Sequence, residues 1–172
     1  MDKLKSQFGE FYLLPEGGTN ELAIKGTEEI LDASDTQDYI CCSVGTGGTI
    51  AGIINATNST QHVIGFPAIK GSDDLLKDVR CWANNKNFEF INTYTIGGYA
   101  KSSKELIQFI NEFYRTQYIP LDAVYTGKMM MGILDLVAKD YFPKGSSILA
   151  IHTGGLQGNK GMSERLGIKF LS

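Results

Sequence analysis

The chain has 172 residues, of which 42% are hydrophobic and 20% charged, with a net charge of −3. That is the composition of one globular domain with its own core. The acidic balance and the lack of a basic patch interleaved with aromatics exclude a nucleic-acid binder, and no apolar run is long enough to span a bilayer.

Three cysteines, Cys41, Cys42 and Cys81, are an odd number with two adjacent members. They make a poor disulfide framework and predict buried thiols in a reducing, cytoplasmic setting. Two distant histidines and no clustered cysteines exclude a zinc site. The start, Met1-Asp2-Lys3-Leu4-Lys5, lacks the apolar stretch of a signal peptide.

In chain order, residues 2–8 predict a short helical turn with Leu4 and Phe8 on one face. The apolar run at 11–14 predicts a buried strand, ended by a turn cluster at 15–20. Asn20 or Thr19 caps a helix over 21–33, with Leu22, Ile30 and Leu31 facing inward. A strand at 38–42 leads into a glycine-rich turn and a helix through 51–54. The next strand, 62–66, is broken by Pro67. Ser72 caps a helix with Asp73 and Asp74 in its first turn and Leu75, Leu76, Val79 and Trp82 along one stripe. A strand at 88–92, a loop at 97–100 and a helix started by Ser102 or Ser103 and running to about Gln117 follow. A helix from about Met129 to Lys139 and a strand at 147–152 complete the pattern. Strand and helix alternate about five times, which predicts an α/β fold of three layers, a mostly parallel sheet with helices on both faces. Ligands in such folds bind outside the carboxyl ends of the strands. The loops there are 16–20, 45–49, 97–99 and 153–155, all rich in Gly, Thr or Tyr.

The turn at 45–49 is the most informative of these. Glycines let backbone N–H groups converge where a side chain would block approach. The first N–H groups of a helix lack intrahelical partners and lie at the positive end of its dipole, so such a turn predicts a phosphate site. The dinucleotide pattern G-x-G-x-x-G fails, because the sixth position from Gly45 is Ile50, and no lysine follows the turn as a P-loop requires. A tight turn that binds nothing is the alternative. Burial statistics alone read Tyr99 and Tyr125 as core aromatics, His152 as a hydrogen-bonded structural residue and the run Met129-Met130-Met131 as core filler.

Four motifs occur in order: Pro-Glu-Gly-Gly-Thr-Asn at 15–20, Gly-Thr-Gly-Gly-Thr at 45–49, Val-Tyr-Thr-Gly-Lys at 124–128 and Ile-His-Thr-Gly-Gly at 151–155. Together they resemble the C-terminal part of the 1-aminocyclopropane-1-carboxylate deaminase and D-cysteine desulfhydrase family, pyridoxal-phosphate enzymes of the tryptophan-synthase β type. The resemblance implies a single α/β domain over residues 1–172, an incomplete large domain of that fold. It implies that the amides of Gly45, Thr46, Gly47, Gly48 and Thr49 hold the phosphate of pyridoxal 5'-phosphate. Thr153 would bond the pyridine nitrogen, leaving it largely unprotonated. Tyr125 and Tyr99 would be the catalytic tyrosines, Tyr125 for proton transfer or nucleophilic help. The family's ring-opening deaminases carry a glutamate at position 126; Thr126 tilts the substrate toward D-cysteine or a related small D-amino acid, with α,β-elimination to pyruvate, ammonia and sulfide.

The family's cofactor-bearing lysine lies in an N-terminal portion without counterpart here, and Lys128 is not that lysine. The resemblance therefore implies a deaminase or lyase of small amino acids that is inactive as this chain alone. A module that binds phosphate or pyridoxal phosphate without chemistry, and a part that only folds or associates, are the other readings. Strand edges and helix faces left open in such a part imply a homo-oligomer, most simply a dimer.

Overall fold

The computed structural model describes residues 2–171. Strands β1 (Tyr39–Val44), β2 (His62–Pro67), β3 (Phe88–Phe90) and β4 (Ile148–Ile151) form one sheet in the order β3-β2-β1-β4. Every pair is parallel, with Tyr39 opposite His62 and Ile148, and Val63 opposite Phe88. The central strand reads as a nearly continuous apolar run because both of its faces are covered.

Alternate residues of β1 feed opposite layers. Ile40, Cys42 and Val44 pack with Ile50, Ile53 and Ile54 of helix α3 (Gly48–Ala56) and Val79 of α4 (Asp73–Trp82). Cys41 faces the other way, with Ile64, Phe66, and Met129 and Ile133 of α6 (Thr126–Ala138). Behind α6, helix α5 (Lys104–Gln117) packs Leu106 and Ile110 against Leu121 and Met162, the latter on α7 (Gly158–Leu166). The three-layer α/β expectation holds, and Met129 is core filler as expected. Helix α7 lies where the sequence reading placed no element.

Several local expectations are corrected. The run 11–14 is no strand and is not buried: Tyr12 is 79% exposed. A strand needs a ladder partner, and among the described residues none lies beside this run. The helix after Asn20 is shorter than expected. Asn20 Oδ1 accepts from Ala23 N at 2.9 Å and starts α2 (Glu21–Thr27). The Thr27 hydroxyl then bonds Ile24 O at 2.9 Å, and a 3-10 turn (Glu28–Ile30) takes over. Ile24, not Leu22, is the buried residue, and Leu22 is 83% exposed. The reason is close backbone approach: a Cβ on Gly52 of α3 would stand 2.5 Å from Ile24 O. Ser72 does not cap α4; its hydroxyl donates to Asn92 Oδ1 at 2.5 Å. Cys41 and Cys42 are buried, and burial pushes both thiols up to about 12, but Cys81 is exposed, contrary to expectation. Among the described residues, no helix is long and apolar enough to cross a membrane, and no cluster of His, Cys, Asp and Glu could hold a metal.

Candidate functional site

The carboxyl ends of β1 and β4 and the start of α6 converge on one cavity of about 310 Å³. Its wall includes Gly45, Thr46, Gly47 and Thr49, and also Tyr125 and Thr153. Gly47 has φ +89°, a conformation that L residues avoid, and this bend carries β1 directly into α3. Among the described residues, no protein acceptor receives the N–H groups of Thr46, Gly47, Gly48 or Thr49. They form the orphan donors of a helix start, at the positive end of the dipole.

Gly48 does not line the cavity. A Cβ there would press on the Thr19 hydroxyl at 3.0 Å, so this glycine serves the packing of the 15–20 turn behind the cup. That turn docks through the Thr19 and Thr46 hydroxyls, 2.6 Å apart. A Cβ on Gly17 would lie 2.4 Å from Thr46 Oγ1, so only glycine allows the docking. Two expected site loops therefore meet, 27 residues apart in sequence.

A second cavity, of about 810 Å³, adjoins the first through Gly17, Gly45, Thr46 and Tyr125, and adds Glu16, Trp82 and Tyr99. The Tyr99 and Tyr125 rings lie 6.2 Å apart at 69°, edge to face. Burial, and then the neighbouring Tyr99, Asp122 and Glu16, push the Tyr125 phenol up to about 12. At neutral pH it is a phenol, able to donate a proton and poorly suited to act as a nucleophile.

The β4 loop is held by His152. Its Nε2 donates to Pro120 O at 2.8 Å, and its Nδ1 accepts from Gly154 N at 3.1 Å. This is the structural role expected of it, and it fixes the bend that presents Thr153.

Asp122 is the organising residue that the sequence reading missed. Its Oδ1 accepts from Val124 N at 2.7 Å and Tyr125 N at 2.8 Å. Its Oδ2 accepts from Thr126 N at 2.8 Å and from the Thr126 hydroxyl at 2.7 Å. The carboxylate thus satisfies the N–H groups of the turn that enters α6, including the helix's first, Thr126, and sets the backbone of Tyr125. An acidic residue four positions ahead of a threonine, just before an apolar run, was the available signal. The same bonds place Thr126. It is fully buried, its hydroxyl is turned into Asp122, and it lines neither cavity.

The residues fit the phosphate ester of a pyridine cofactor. The cup offers several converging N–H donors and the end of a helix dipole, with no side chain to obstruct them and no acidic residue on the first cavity's wall. Thr153 lies on the same wall, and its side chain is a hydroxyl of the kind that can bond a ring nitrogen.

A parallel α/β sheet whose loops gather at the carboxyl ends of its strands is the architecture of the open-sheet class, in which ligands bind at that edge. Residues 1–154 match the family model described as "Pyridoxal-phosphate dependent enzyme", and the chain belongs to that family. It is 30% identical over 188 residues to a 1-aminocyclopropane-1-carboxylate deaminase of Bradyrhizobium sp. (strain ORS 278), covering 95% of this chain and 56% of that protein. It is 30% identical over 183 residues to a bifunctional D-cysteine desulfhydrase/1-aminocyclopropane-1-carboxylate deaminase of Arabidopsis thaliana, covering 91% of this chain and 44% of that protein. A crystal structure of an ACC deaminase homologue superposes with a TM-score of 0.74 at 28% identity, over 96% of this chain and 55% of that one. A threonine deaminase isoform from Solanum lycopersicum, at 15% identity and a TM-score of 0.56, shares the fold. The chain spans about half the length of the curated relatives it matches.

Proposed function

We propose that this chain supplies the cofactor cup and the two active-site tyrosines of a pyridoxal-phosphate-dependent deaminase or lyase, one that releases a 2-oxo acid and ammonia from a small amino acid. The observation that carries the reading is that Thr46, Gly47 and Thr49, whose N–H groups have no protein acceptor among the described residues, line a cavity shared with Tyr125 and Thr153. The cofactor, when bound, supplies an electron sink for the substrate's Cα. The cup fixes the phosphate and so sets the position of the ring. Thr153 hydrogen-bonds the ring nitrogen without giving it a full charge. Tyr125, a phenol at neutral pH, holds a proton at Oη for donation, and Tyr99 covers it from the adjoining cavity. Thr126 bonds Asp122 and lines neither cavity, so the proposal covers both D-cysteine and 1-aminocyclopropane-1-carboxylate. The Arabidopsis relative carries both activities in its name.

A second reading, binding without chemistry by this chain alone, is favoured by one observation: no lysine lines either cavity among the described residues. Titration with pyridoxal phosphate, followed by visible absorption and then by borohydride reduction and mass spectrometry, tests both readings. Saturable binding that inorganic phosphate competes away is expected, with no reduced adduct on Lys128. Binding indifferent to phosphate would remove the cup from the proposal. A homo-oligomer in a cytoplasmic setting belongs to the same proposal, supported by the exposed apolar side chains of Phe8, Tyr12, Leu13, Leu14 and Leu22 and by the free thiols. Light scattering behind size exclusion is expected to give a dimer mass; a monomer mass counts against it.

A further inference from the structure

Lys128, on the first turn of α6, is 2% exposed and lines neither cavity. A buried ammonium needs strong acceptors. Its Nζ donates to Thr95 O and to Gly98 O, each at 2.8 Å, and no carboxylate pairs with it among the described residues. The same two carbonyls close consecutive turns of the loop, accepting from Gly98 N at 3.0 Å and Lys101 N at 3.2 Å. The lysine therefore joins both turns at their hinge points. Burial lowers its ammonium to about 8, with Asp122 pulling the other way.

The loop that it grips is not one the chain would adopt unaided. Ile96 (φ +46°) and Ala100 (φ +50°) occupy the left-handed region that non-glycine residues avoid, and they bracket Gly97 and Gly98 at +83° and +111°. A β-branched residue there persists only when its surroundings hold it. Tyr99 sits inside this strained run, is 60% exposed, and touches Tyr125 edge to face. So exposed a ring is poorly held by its own packing; its place is set by the backbone on either side.

We propose that Lys128 is a positioning residue, whose ammonium clamps the carbonyls of Thr95 and Gly98 and so holds Tyr99 against Tyr125 on the wall of the second cavity. The inference rests on the proposed function only for the use made of Tyr99; the clamp itself stands on the hydrogen bonds and the backbone angles.

The test places 4-fluorophenylalanine at position 99 of the full chain and reads its fluorine resonance in the parent, Lys128→Met and Lys128→Gln. Methionine keeps the unbranched stem as far as the ε position and removes the donors; glutamine, equally long, puts N–H donors at that ε position without charge. In Lys128→Met the resonance is expected to move to that of the urea-unfolded chain, while far-UV circular dichroism and phosphate-competed pyridoxal-phosphate binding stay as in the parent. In Lys128→Gln it is expected to move part of the way back. A resonance unmoved in Lys128→Met, or glutamine no better than methionine, overturns the proposal. Should Lys128→Met fail to fold, the parent decides: scalar couplings across hydrogen bonds from Lys128 Nζ to the carbonyl carbons of Thr95 and Gly98 are expected, and their absence overturns it. If the parent binds no pyridoxal phosphate, the proposed function fails, and the fluorine resonance still decides the clamp.

Discussion

Asp122→Ala is expected to lower the stability of the chain by about 3 kcal/mol or more, the largest single-residue effect at the site. The carboxylate takes three backbone N–H groups and the Thr126 hydroxyl, all at 2.7–2.8 Å. Losing a helix cap costs about 1 kcal/mol, and each buried donor left without an acceptor costs about 1–3 kcal/mol more. For a domain of this size the melting temperature should fall by roughly 6–12 °C. Urea unfolding of Asp122→Ala and Asp122→Asn checks this. The asparagine keeps one acceptor oxygen and should lose about half as much, about 1.5 kcal/mol or more on the same scale. Equal losses would mean that charge at the α6 N-terminus matters more than acceptor count. A loss below about 1 kcal/mol in the alanine variant would mean that the N–H groups find other partners. Because the N–H of Tyr125 is among those released, the variant should also loosen the phenol and weaken cofactor binding.

Gly47→Val is expected to destroy the cup. Its φ of +89° penalises any β-branched residue, and a Cβ there would stand 2.7 Å from Val79 Cγ2 and 3.0 Å from Leu75 Cδ1. Backbone strain and overpacking together should cost about 2–4 kcal/mol. Relaxing that strain should swing the N–H groups of Thr46, Gly47 and Thr49 away from the cavity. Each charge-assisted hydrogen bond lost is worth about 1.5–3 kcal/mol, roughly ten- to hundredfold in affinity for pyridoxal phosphate. Gly145→Val is the control, with a φ of +88° and nothing within 4 Å of its would-be Cβ. It should show the conformational cost alone and bind as the parent does. If Gly47→Val binds pyridoxal phosphate like the control, the anion does not sit on this turn.

The parts of the fold legible in the sequence were those with a local cause. Asn20 and Ser103 cap their helices because a short polar side chain reaches an N–H three residues on. The α4 stripe and the apolar strands at β1 and β2 follow from periodicity. The amide cup was legible because glycines between an apolar strand and a helix have few other uses. What was not legible depended on neighbours. The run at 11–14 looks like a strand until no partner lies beside it. Leu22 looks inward until Gly52 brings two helix backbones together and turns Ile24 to the core instead.

The sequence by itself determined the class of fold, the family, and the loops that form the site, because composition, period and glycine spacing act over short distances along the chain. The tertiary structure alone decided which of those residues meet. It set Asp122 beneath Tyr125, turned Thr126 away from the cavities, and buried Lys128 against a strained loop 30 residues upstream. The physical reason is burial: a polar group withdrawn from water must find its partner in space, and sequence spacing does not specify that partner.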